Sequence, residues 1–262
     1  MHDTVFVPLH VPHADGPIGT ATLAVADHLV RRGLACGVDA GLRLDAAARL
    51  TDRLEDVRES LAHAGLIGPR RDEPMPVRAR CDGPEIARVD RSALRALGFW
   101  AEKIHVNGIA VDPGGGPSGV WLSLRARTAP SNPLAFDTLV AGGRPCDASR
   151  RETLIKEAHE EVGLDADVVA RADFVRTMIV QYVSERGFHQ ELIAIYDLAI
   201  PADFRPVHLD GEIEESRRLP IDAVASALAD GTPFKLSSRL VTHDLLSRLG
   251  RHRSGDASVA GS

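Results

Sequence analysis

The sequence predicts an α+β fold, and two observations indicate it. Helical periodicity occurs in the first third of the chain and again near its end, while the segment after residue 100 has the texture of strands separated by turns. The length of 262 residues suits one large domain or two small ones. We therefore predict an N-terminal accessory domain over 1–99, a second domain over 100–250 and a disordered tail over 251–262.

The predicted accessory domain is mainly helical in pattern. Residues 21–33 and 45–65 have apolar side chains at helical spacing. Residues 91–99 form a short predicted helix, for which Asp90 is a suitable N-cap. The stretch 67–84 is rich in proline, glycine and arginine, which predicts an irregular connection.

The second domain contains five segments with strand texture, and two amphipathic helices close it. A glycine-rich turn, DPGGGPSG at 112–119, separates the first two segments. The strands are predicted at 103–111, 120–127, 136–143, 167–183 and 190–200, and the helices at 220–231 and 237–250.

The stretch TLIKEAHEEVGL at 153–164 belongs to a further helix, which we predict over 150–162. Ser149 and Glu152 have the spacing of a capping box, in which each side chain bonds the other residue's backbone N–H. Gly163 suits the position that follows a helix, where a left-handed backbone conformation is common. Both ends of this helix are therefore specified by local sequence.

Three glutamates lie on one side of this helix, within an arc of about 100° beside its apolar stripe. They are Glu157, Glu160 and Glu161. A solvated acidic face is one interpretation. Near a core edge, however, such charges would repel by about 3 kcal/mol per pair at an effective dielectric constant near 20, and a divalent cation would reverse that sign. Mg²⁺ takes few carboxylates and bridges to substrate phosphates, so the three glutamates are candidate Mg²⁺ ligands.

A Gly-Gly pair precedes the helix, after a predicted strand. Gly142 and Gly143 let the backbone approach a phosphate near a helix N-terminus, so we include both as candidate phosphate-binding residues. On its own this pair is a weak signal. It gains weight because strand, glycine-rich loop and acidic helix follow one another directly.

Together the segment 139–164 resembles the Nudix box, a pattern of glycine, arginine and glutamates at fixed spacing. Three positions depart from the pattern, because Ala148 replaces a glutamate, Lys156 an arginine and Ala158 a bulkier aliphatic residue. The residues that match are Gly142, Glu157, Glu160, Glu161, Gly163 and Leu164.

The flanking sequence resembles one Nudix branch in particular, related to the Nudix region of fungal thiamine pyrophosphokinase and its plant relatives. YDLAIPADFRPVHLDGEIEE at 196–215 and ARVDRSALRALGFWAEKIHVNG at 87–108 carry this resemblance, which is weaker over 1–86. It implies an α/β/α sandwich with a mixed β-sheet, preceded by a small α+β domain.

The resemblance also implies an activity. We expect a hydrolase that cleaves a diphosphate linked to an organic moiety with Mg²⁺ or Mn²⁺, and thiamine-type diphosphates, including damaged forms, are the expected substrates. Glu157, Glu160 and Glu161 would be the metal ligands. Glu157 and Glu161 would be the catalytic carboxylates, and Lys156 would be a structural ion-pair partner.

Four further residues are candidates for substrate contact. Arg125 and Arg127 lie two apart on a predicted strand, so they would share a face and could hold phosphate by charge-assisted hydrogen bonds. Glu212 and Glu214 would share a face if 210–216 is a strand, and one of them could serve as an additional base or ligand. In both cases a solvated surface is the alternative interpretation.

Other functions remain open at this stage. The motif also fits hydrolysis of nucleotide or nucleotide-sugar diphosphates, or a catalytically weak module that binds a pyrophosphate ligand. A net charge of −6 argues against nucleic acid as a partner, and the absence of a long apolar run argues against a membrane span. Three widely spaced cysteines form no disulfide framework. We expect a cytoplasmic monomer or homodimer whose partner is a small-molecule diphosphate.

Overall fold

The structure is a computed structural model that describes residues 5–12, 14–39, 41–44, 49–184 and 186–259, with side chains described up to residue 250. The chain divides into two compact units. The first comprises residues 1–103, 143–148 and 178–193, and the second comprises 104–142, 149–177 and 194–262. The assignment of 1–99 as an accessory domain and 100–250 as a catalytic domain stays a prediction.

The first unit contains a four-stranded sheet, a hairpin and three helices. The sheet has the order β2-β1-β4-β3, in which β1 and β4 are parallel and the other pairs antiparallel, while β5 and β6 form the hairpin. The strands are β1 (Phe6–His10), β2 (Gly19–Thr22), β3 (Ala35–Val38), β4 (Gly41–Leu44), β5 (Pro74–Val77) and β6 (Ala87–Asp90), and the helices are α1 (Leu23–Arg31), α2 (Leu50–His63) and α3 (Arg91–Leu94).

The described residues from 100 onwards form a seven-stranded sheet and four helices. The sheet has the order β11-β12-β7-β8-β13, and in addition β10 pairs with β7 and β9 with β8. The strands are β7 (Trp100–Val111), β8 (Pro117–Arg125), β9 (Phe136–Thr138), β10 (Val140–Gly143), β11 (Asp173–Ser184), β12 (Gly187–Pro201) and β13 (Ile213–Leu219), and the helices are α4 (Arg150–Val162), α5 (Ala166–Val169), α6 (Ile221–Ala229) and α7 (Leu236–Val259).

Successive residues of β8 show that helices of the second unit cover both faces of its sheet. Trp121 belongs to a core that includes Leu154 and Ala158 of α4. Its neighbours Val120 and Leu122 belong to a different core, which includes Val224 of α6 and Leu245 of α7. Because neighbouring side chains of a strand point to opposite faces, the sheet lies between α4 and the α6–α7 pair. The predicted α+β class with mixed sheets is confirmed.

Several predicted elements differ from the structure. Short strands occupy much of the N-terminal region, and β5 lies inside the stretch that we expected to be irregular. The helix predicted over 91–99 is only α3, although Asp90 does cap it by accepting a hydrogen bond from the Ser92 N–H at 3.0 Å. Residues 167–183 begin with α5 before β11. The N-terminal strands β1 to β6 have only four or five residues each, too few to show an alternating pattern in the sequence.

The C-terminal helix is the last described element of the chain. Helix α7 is assigned to Val259, and residues 260–262 lie outside the described part of the chain. The tail expected over 251–262 stays a prediction. No helix in the described part is both long and apolar enough to cross a membrane.

Candidate active site on helix α4

Helix α4 begins and ends where its sequence predicts. Ser149 Oγ accepts a hydrogen bond from the Glu152 N–H at 3.2 Å, and Glu152 Oε2 accepts one from the Ser149 N–H at 2.8 Å, so the capping box is complete. Gly163 follows the helix with a φ of 70°, the left-handed conformation that glycine adopts without strain. The helix prediction over 150–162 is confirmed.

The C-terminal turn of α4, which carries the glutamates, is held by the segment 207–209. The Val207 N–H donates to the Val162 carbonyl at 3.1 Å, and the Leu209 N–H donates to the Glu160 carbonyl at 2.9 Å. Between them, His208 Nδ1 lies 2.6 Å from the Glu161 carbonyl, which can only accept, so this ring nitrogen donates. These bonds satisfy carbonyl groups at the helix end and fix its position.

Strand β10 lies directly against two of the glutamates. The Ala141 N–H donates to Glu161 Oε2 at 2.9 Å. At the next residue, a Cβ atom on Gly142 would lie 2.3 Å from both Cγ and Cδ of Glu157. Gly142 therefore has a clear local role, because the space that a side chain would occupy is filled by the Glu157 side chain.

Glu161 is a carboxylic acid with little compensation for its charge. It is only 4% exposed. Burial raises the pKa of Glu161 well above its usual range, and the charges of Asp137 and Glu157 raise it further, against the opposing effects of the Ala141 N–H and the Lys235 ammonium. A site that disfavours the carboxylate in this way would be stabilised by an added cation.

Lys156 contacts the other two glutamates. Its Nζ atom lies 2.6 Å from Glu160 Oε2 and 3.4 Å from Glu157 Oε1. The Glu160 side chain is 38% exposed and that of Glu157 is 16% exposed. These distances agree with the predicted role of Lys156 as an ion-pair partner.

The donor set suits a hard divalent cation, although the ligands are not gathered in advance. Within residues 5–12, 14–39, 41–44, 49–184 and 186–259, no group of three or more His, Cys, Asp or Glu side chains is arranged to hold a metal ion. Glu157 and Glu161 fit such an ion, because both are oxygen donors placed by β10 and Glu161 lacks adequate compensation. Glu160 would join them only after exchanging its contact with Lys156.

A buried carboxylate that the sequence analysis missed lies in the electrostatic environment of Glu161. Asp137 accepts hydrogen bonds from Lys235 Nζ at 2.8 Å and from the Ser238 hydroxyl, and its Oδ2 lies 3.6 Å from Arg125 Nη1. The Lys235 ammonium is the leading cause that holds the pKa of Asp137 below its usual range, although burial acts in the opposite direction. No short motif could reveal this network, because its partners come from distant parts of the chain.

The predicted substrate-contact arginines are placed differently from the expectation. Strand β8 ends at Arg125, whose Nε donates to the Ser131 carbonyl at 3.1 Å, in addition to the contact with Asp137. Arg127 lies beyond the strand, and its backbone N–H donates to Glu214 Oε2 at 3.2 Å. The shared strand face predicted for the two arginines is therefore wrong, while their role in binding phosphate stays a prediction.

The remaining candidates lie on loops and at strand ends. Glu212 precedes β13 and is exposed, and its backbone N–H donates to Asp210 Oδ1 at 2.9 Å. Because Glu212 lies outside β13, the two glutamates do not share a strand face as we expected. Gly143 ends β10, and a Cβ there would meet Met75 Cε at 3.7 Å, an ordinary contact. The functional roles of Glu212, Glu214 and Gly143 stay predictions.

Curated proteins similar to this chain include two Nudix hydrolases of one plant. The chain is 32% identical over 213 residues to Nudix hydrolase 24, chloroplastic, of Arabidopsis thaliana, which is 81% of this chain and 58% of the relative. It is 30% identical over 213 residues to Nudix hydrolase 20, chloroplastic, of the same plant, which is 81% of this chain and 56% of the relative. The chain thus spans little more than half the length of these relatives.

Other comparisons give weaker similarity. The Nudix domain of Shewanella oneidensis NrtR, solved as a complex with ADP ribose, has a TM-score of 0.45 and 13% identity, covering 59% of this chain and 91% of that domain. No family model matches the sequence.

Proposed function

We propose that this chain, for which the curated relatives support the Nudix hydrolase family, is a metal-dependent pyrophosphohydrolase. It would cleave a diphosphate linked to an organic moiety and release phosphate. Both the activity and the substrate are proposed, because the chain spans only part of the length of each relative.

One observation carries the proposal. Two successive residues of β10 contact two glutamates of α4, since the Ala141 N–H bonds Glu161 and the bare Cα of Gly142 admits the Glu157 side chain. A carboxylic acid as buried as Glu161, with its pKa raised by burial, is costly in a merely structural role. Strongly perturbed carboxyl groups of this kind are characteristic of functional sites.

The chain's own residues would have distinct roles. Glu157 and Glu161 would hold Mg²⁺ or Mn²⁺, and Glu160 would join them when it leaves Lys156. When bound, the metal ion would neutralise the diphosphate and lower the pKa of water. Glu157, the more exposed of the two β10-facing carboxylates, is the better placed to accept a proton from the attacking water. The Ala141 N–H would keep Glu161 in one orientation.

Two sequence segments suggest which diphosphates the chain would cleave. The segments 87–108 and 196–215 resemble the branch associated with thiamine-type diphosphates, so we propose these, including oxidised forms, as substrates. Residues 207–209 lie within the second segment and bond the C-terminal turn of α4, so this segment adjoins the glutamates that would hold the metal. Nucleotide diphosphates are the competing substrates.

The experiment measures phosphate release by the full chain from thiamine diphosphate, oxythiamine diphosphate and ADP, and AMP formation from ADP-ribose, each with Mg²⁺ and with chelator. Glu157→Gln and Glu161→Gln keep the side-chain shape and remove a charge. Each should lower kcat by about a hundredfold or more, which is about 3 kcal/mol of barrier. Mn²⁺ should substitute for Mg²⁺.

Glu152→Gln is the matched control, since it is the same substitution on the same helix and glutamine also serves in a capping box. It should leave kcat nearly unchanged. If no diphosphate is hydrolysed in the presence of either metal, the proposed activity fails. If the nucleotide substrates are preferred, the activity stands and the thiamine-type assignment fails.

A further inference from the structure

A large cavity lies within the first unit. Its volume is about 1140 Å³, which is at the upper end of the size of small-molecule sites in proteins. Its walls come from the loop between β1 and β2 together with the start of β2, from the loop between β5 and β6, and from Leu50, Trp100, Ile179 and Gln190.

A backbone hydrogen bond joins the two ends of each loop that lines the cavity. In the first loop, Pro17 has a restricted backbone and the following Ile18 N–H donates to the Leu9 carbonyl at 2.8 Å. In the second loop, the Ile86 N–H donates to the Val77 carbonyl at 2.9 Å.

Much of the cavity wall is apolar and accessible. Ile179 is 56% exposed and Ile86 is 40% exposed, both unusually high for isoleucine. Trp100 is half-buried and lines the same space. Each square ångström of apolar surface covered by a ligand would contribute about 25 cal/mol, so a flat apolar molecule would gain affinity here.

Most polar groups around the cavity already have partners. The Gln190 amide donates to the Gly98 carbonyl at 2.8 Å and accepts from Gln181 Nε2 at 2.9 Å. Arg80 and Asp82 pair with each other at 3.2 Å, so their charges cancel. These groups would add little to the binding of a ligand.

Two lining groups differ from the rest. Asp15 is exposed and forms no ion pair or hydrogen bond with any residue that the structure describes. The Trp100 indole likewise has no hydrogen bond or ring contact within the described residues. The cavity therefore offers one uncompensated negative charge and one aromatic ring with a hydrogen-bond donor.

We propose that this cavity binds a planar aromatic molecule that carries a positive charge. A cation is attracted both by the face of an indole ring and by a carboxylate, and the apolar walls accept the flat ring. This binding site does not depend on the proposed hydrolysis, because all its lining residues belong to the first unit and its test measures binding alone.

The test compares three bicyclic aromatic probes of similar size and different charge: N-methylquinolinium, quinoline and 2-naphthalenesulfonate. Binding is followed through the indole N–H signals in ¹⁵N NMR spectra, since the chain has only two tryptophans and Trp100→Phe identifies the relevant signal. The cation should shift the Trp100 signal and bind at least about tenfold more tightly than the neutral and anionic probes. Equal affinity for the anion, or no shift with any probe, overturns the proposal.

Two variants test the assignment of the site. Gly16 lines the cavity, and a Cβ there meets no heavy atom within 4 Å, so Gly16→Leu should fill the space without strain and weaken cation binding about tenfold or more. Gly68→Leu is the matched control, since its Cβ also meets nothing and it lies outside the cavity. Asp15→Asn should lower the affinity for the cation towards that for quinoline and leave the affinity for quinoline unchanged, because the attraction by the Trp100 indole remains. Unchanged binding in either cavity variant overturns the proposal.

Discussion

Two buried carboxylic acids of the second unit, Asp137 and Glu161, have opposite electrostatic environments. Asp137 has an ammonium, a hydroxyl and its neighbour's N–H as donors, and the Lys235 ammonium leads the interactions that keep its pKa below the usual range in spite of burial. Glu161 has one backbone donor, and burial raises its pKa above the usual range. The Lys235 ammonium bonds Asp137 directly, whereas the hydrogen bond to Glu161 comes from a neutral backbone N–H.

This difference in charge compensation distinguishes an acid with a structural role from an acid that would bind a cation. A buried charge that is paired and hydrogen-bonded contributes to one defined structure, whereas an undercompensated one is costly and is retained where function requires it. By this argument Asp137 belongs to the framework that joins β9 to α7. Glu161 is instead a candidate ligand for the metal ion of the proposed hydrolase.

The largest expected effect is on the stability of the framework. Asp137→Asn should lower the free energy of unfolding by about 3–5 kcal/mol, because it leaves the Lys235 ammonium without its carboxylate. The measurement is urea unfolding followed by circular dichroism. A loss below about 1 kcal/mol would contradict the assignment of Asp137 as a structural acid.

The same variant has a specific pH dependence. A carboxyl group whose pKa is lowered in the folded protein stabilises it above the unfolded pKa, about 3.9 for aspartate, and that contribution is lost as the pH falls below it. The stability difference between parent and Asp137→Asn should therefore be constant above about pH 5 and shrink below about pH 4.

Addition of a divalent cation should stabilise the parent protein through Glu161. At a Mg²⁺ concentration of 100 times its dissociation constant, the expected gain is about 2.7 kcal/mol, seen as a higher thermal midpoint. Glu161→Gln should remove most of this gain, while Asp137→Asn should retain it if the protein still folds. An equal response of all three proteins would mean that the cation binds elsewhere.

The α4 helix shows why part of this site could be predicted from sequence. Its capping box, its terminal glycine and the spacing of Glu157, Glu160 and Glu161 are all local features, so they can be recognised within a few residues. The Asp137 network is not local, since Lys235 and Ser238 lie about a hundred residues away in the chain. No pattern in the sequence indicates that these three residues meet.

The N-terminal strands show a second limit. Strand β5 has the sequence Pro-Met-Pro-Val, whose two prolines indicate a loop, yet it pairs with β6 as a two-stranded hairpin. Proline is compatible with such a strand where its missing N–H is not needed for the ladder. The strand therefore depends on tertiary packing of Met75 and Val77, which are fully buried, and not on local propensity.

The close packing of Gly142 against Glu157 predicts a substantial effect on activity. Gly142→Ala would place a Cβ at 2.3 Å from Glu157 Cδ and so displace that carboxylate. We expect kcat to fall about tenfold or more, as misplacement of a catalytic group does. Gly114→Ala is the control, because a Cβ at Gly114 meets no atom within 4 Å. Parental activity in Gly142→Ala would remove Glu157 from the mechanism.

The comparison of Asp137 with Glu161 also predicts that replacing each acid by its amide changes the free energy of unfolding in opposite directions. Without metal, Glu161→Gln should raise the free energy of unfolding at neutral pH, because a carboxyl group whose pKa is raised by burial in the folded protein costs stability above its unfolded pKa, and glutamine does not titrate. Asp137→Asn lowers the same quantity. Urea unfolding in chelator measures both, and a clear loss of stability in Glu161→Gln would contradict the comparison.

The smallest expected effect concerns Lys156, whose ammonium would compete with a bound metal ion for Glu160. Its ammonium contacts Glu160 and Glu157 on an exposed face, where such pairs contribute about 1 kcal/mol or less. Lys156→Gln should therefore lower the Mg²⁺ concentration that gives half-maximal rate by about two- to threefold, because Glu160 becomes free to turn to the metal. Arg151→Gln removes an exposed positive charge from the same helix and should change this Mg²⁺ concentration less. If Lys156→Gln instead requires more Mg²⁺, the ammonium positions the carboxylates and does not compete with the metal for them.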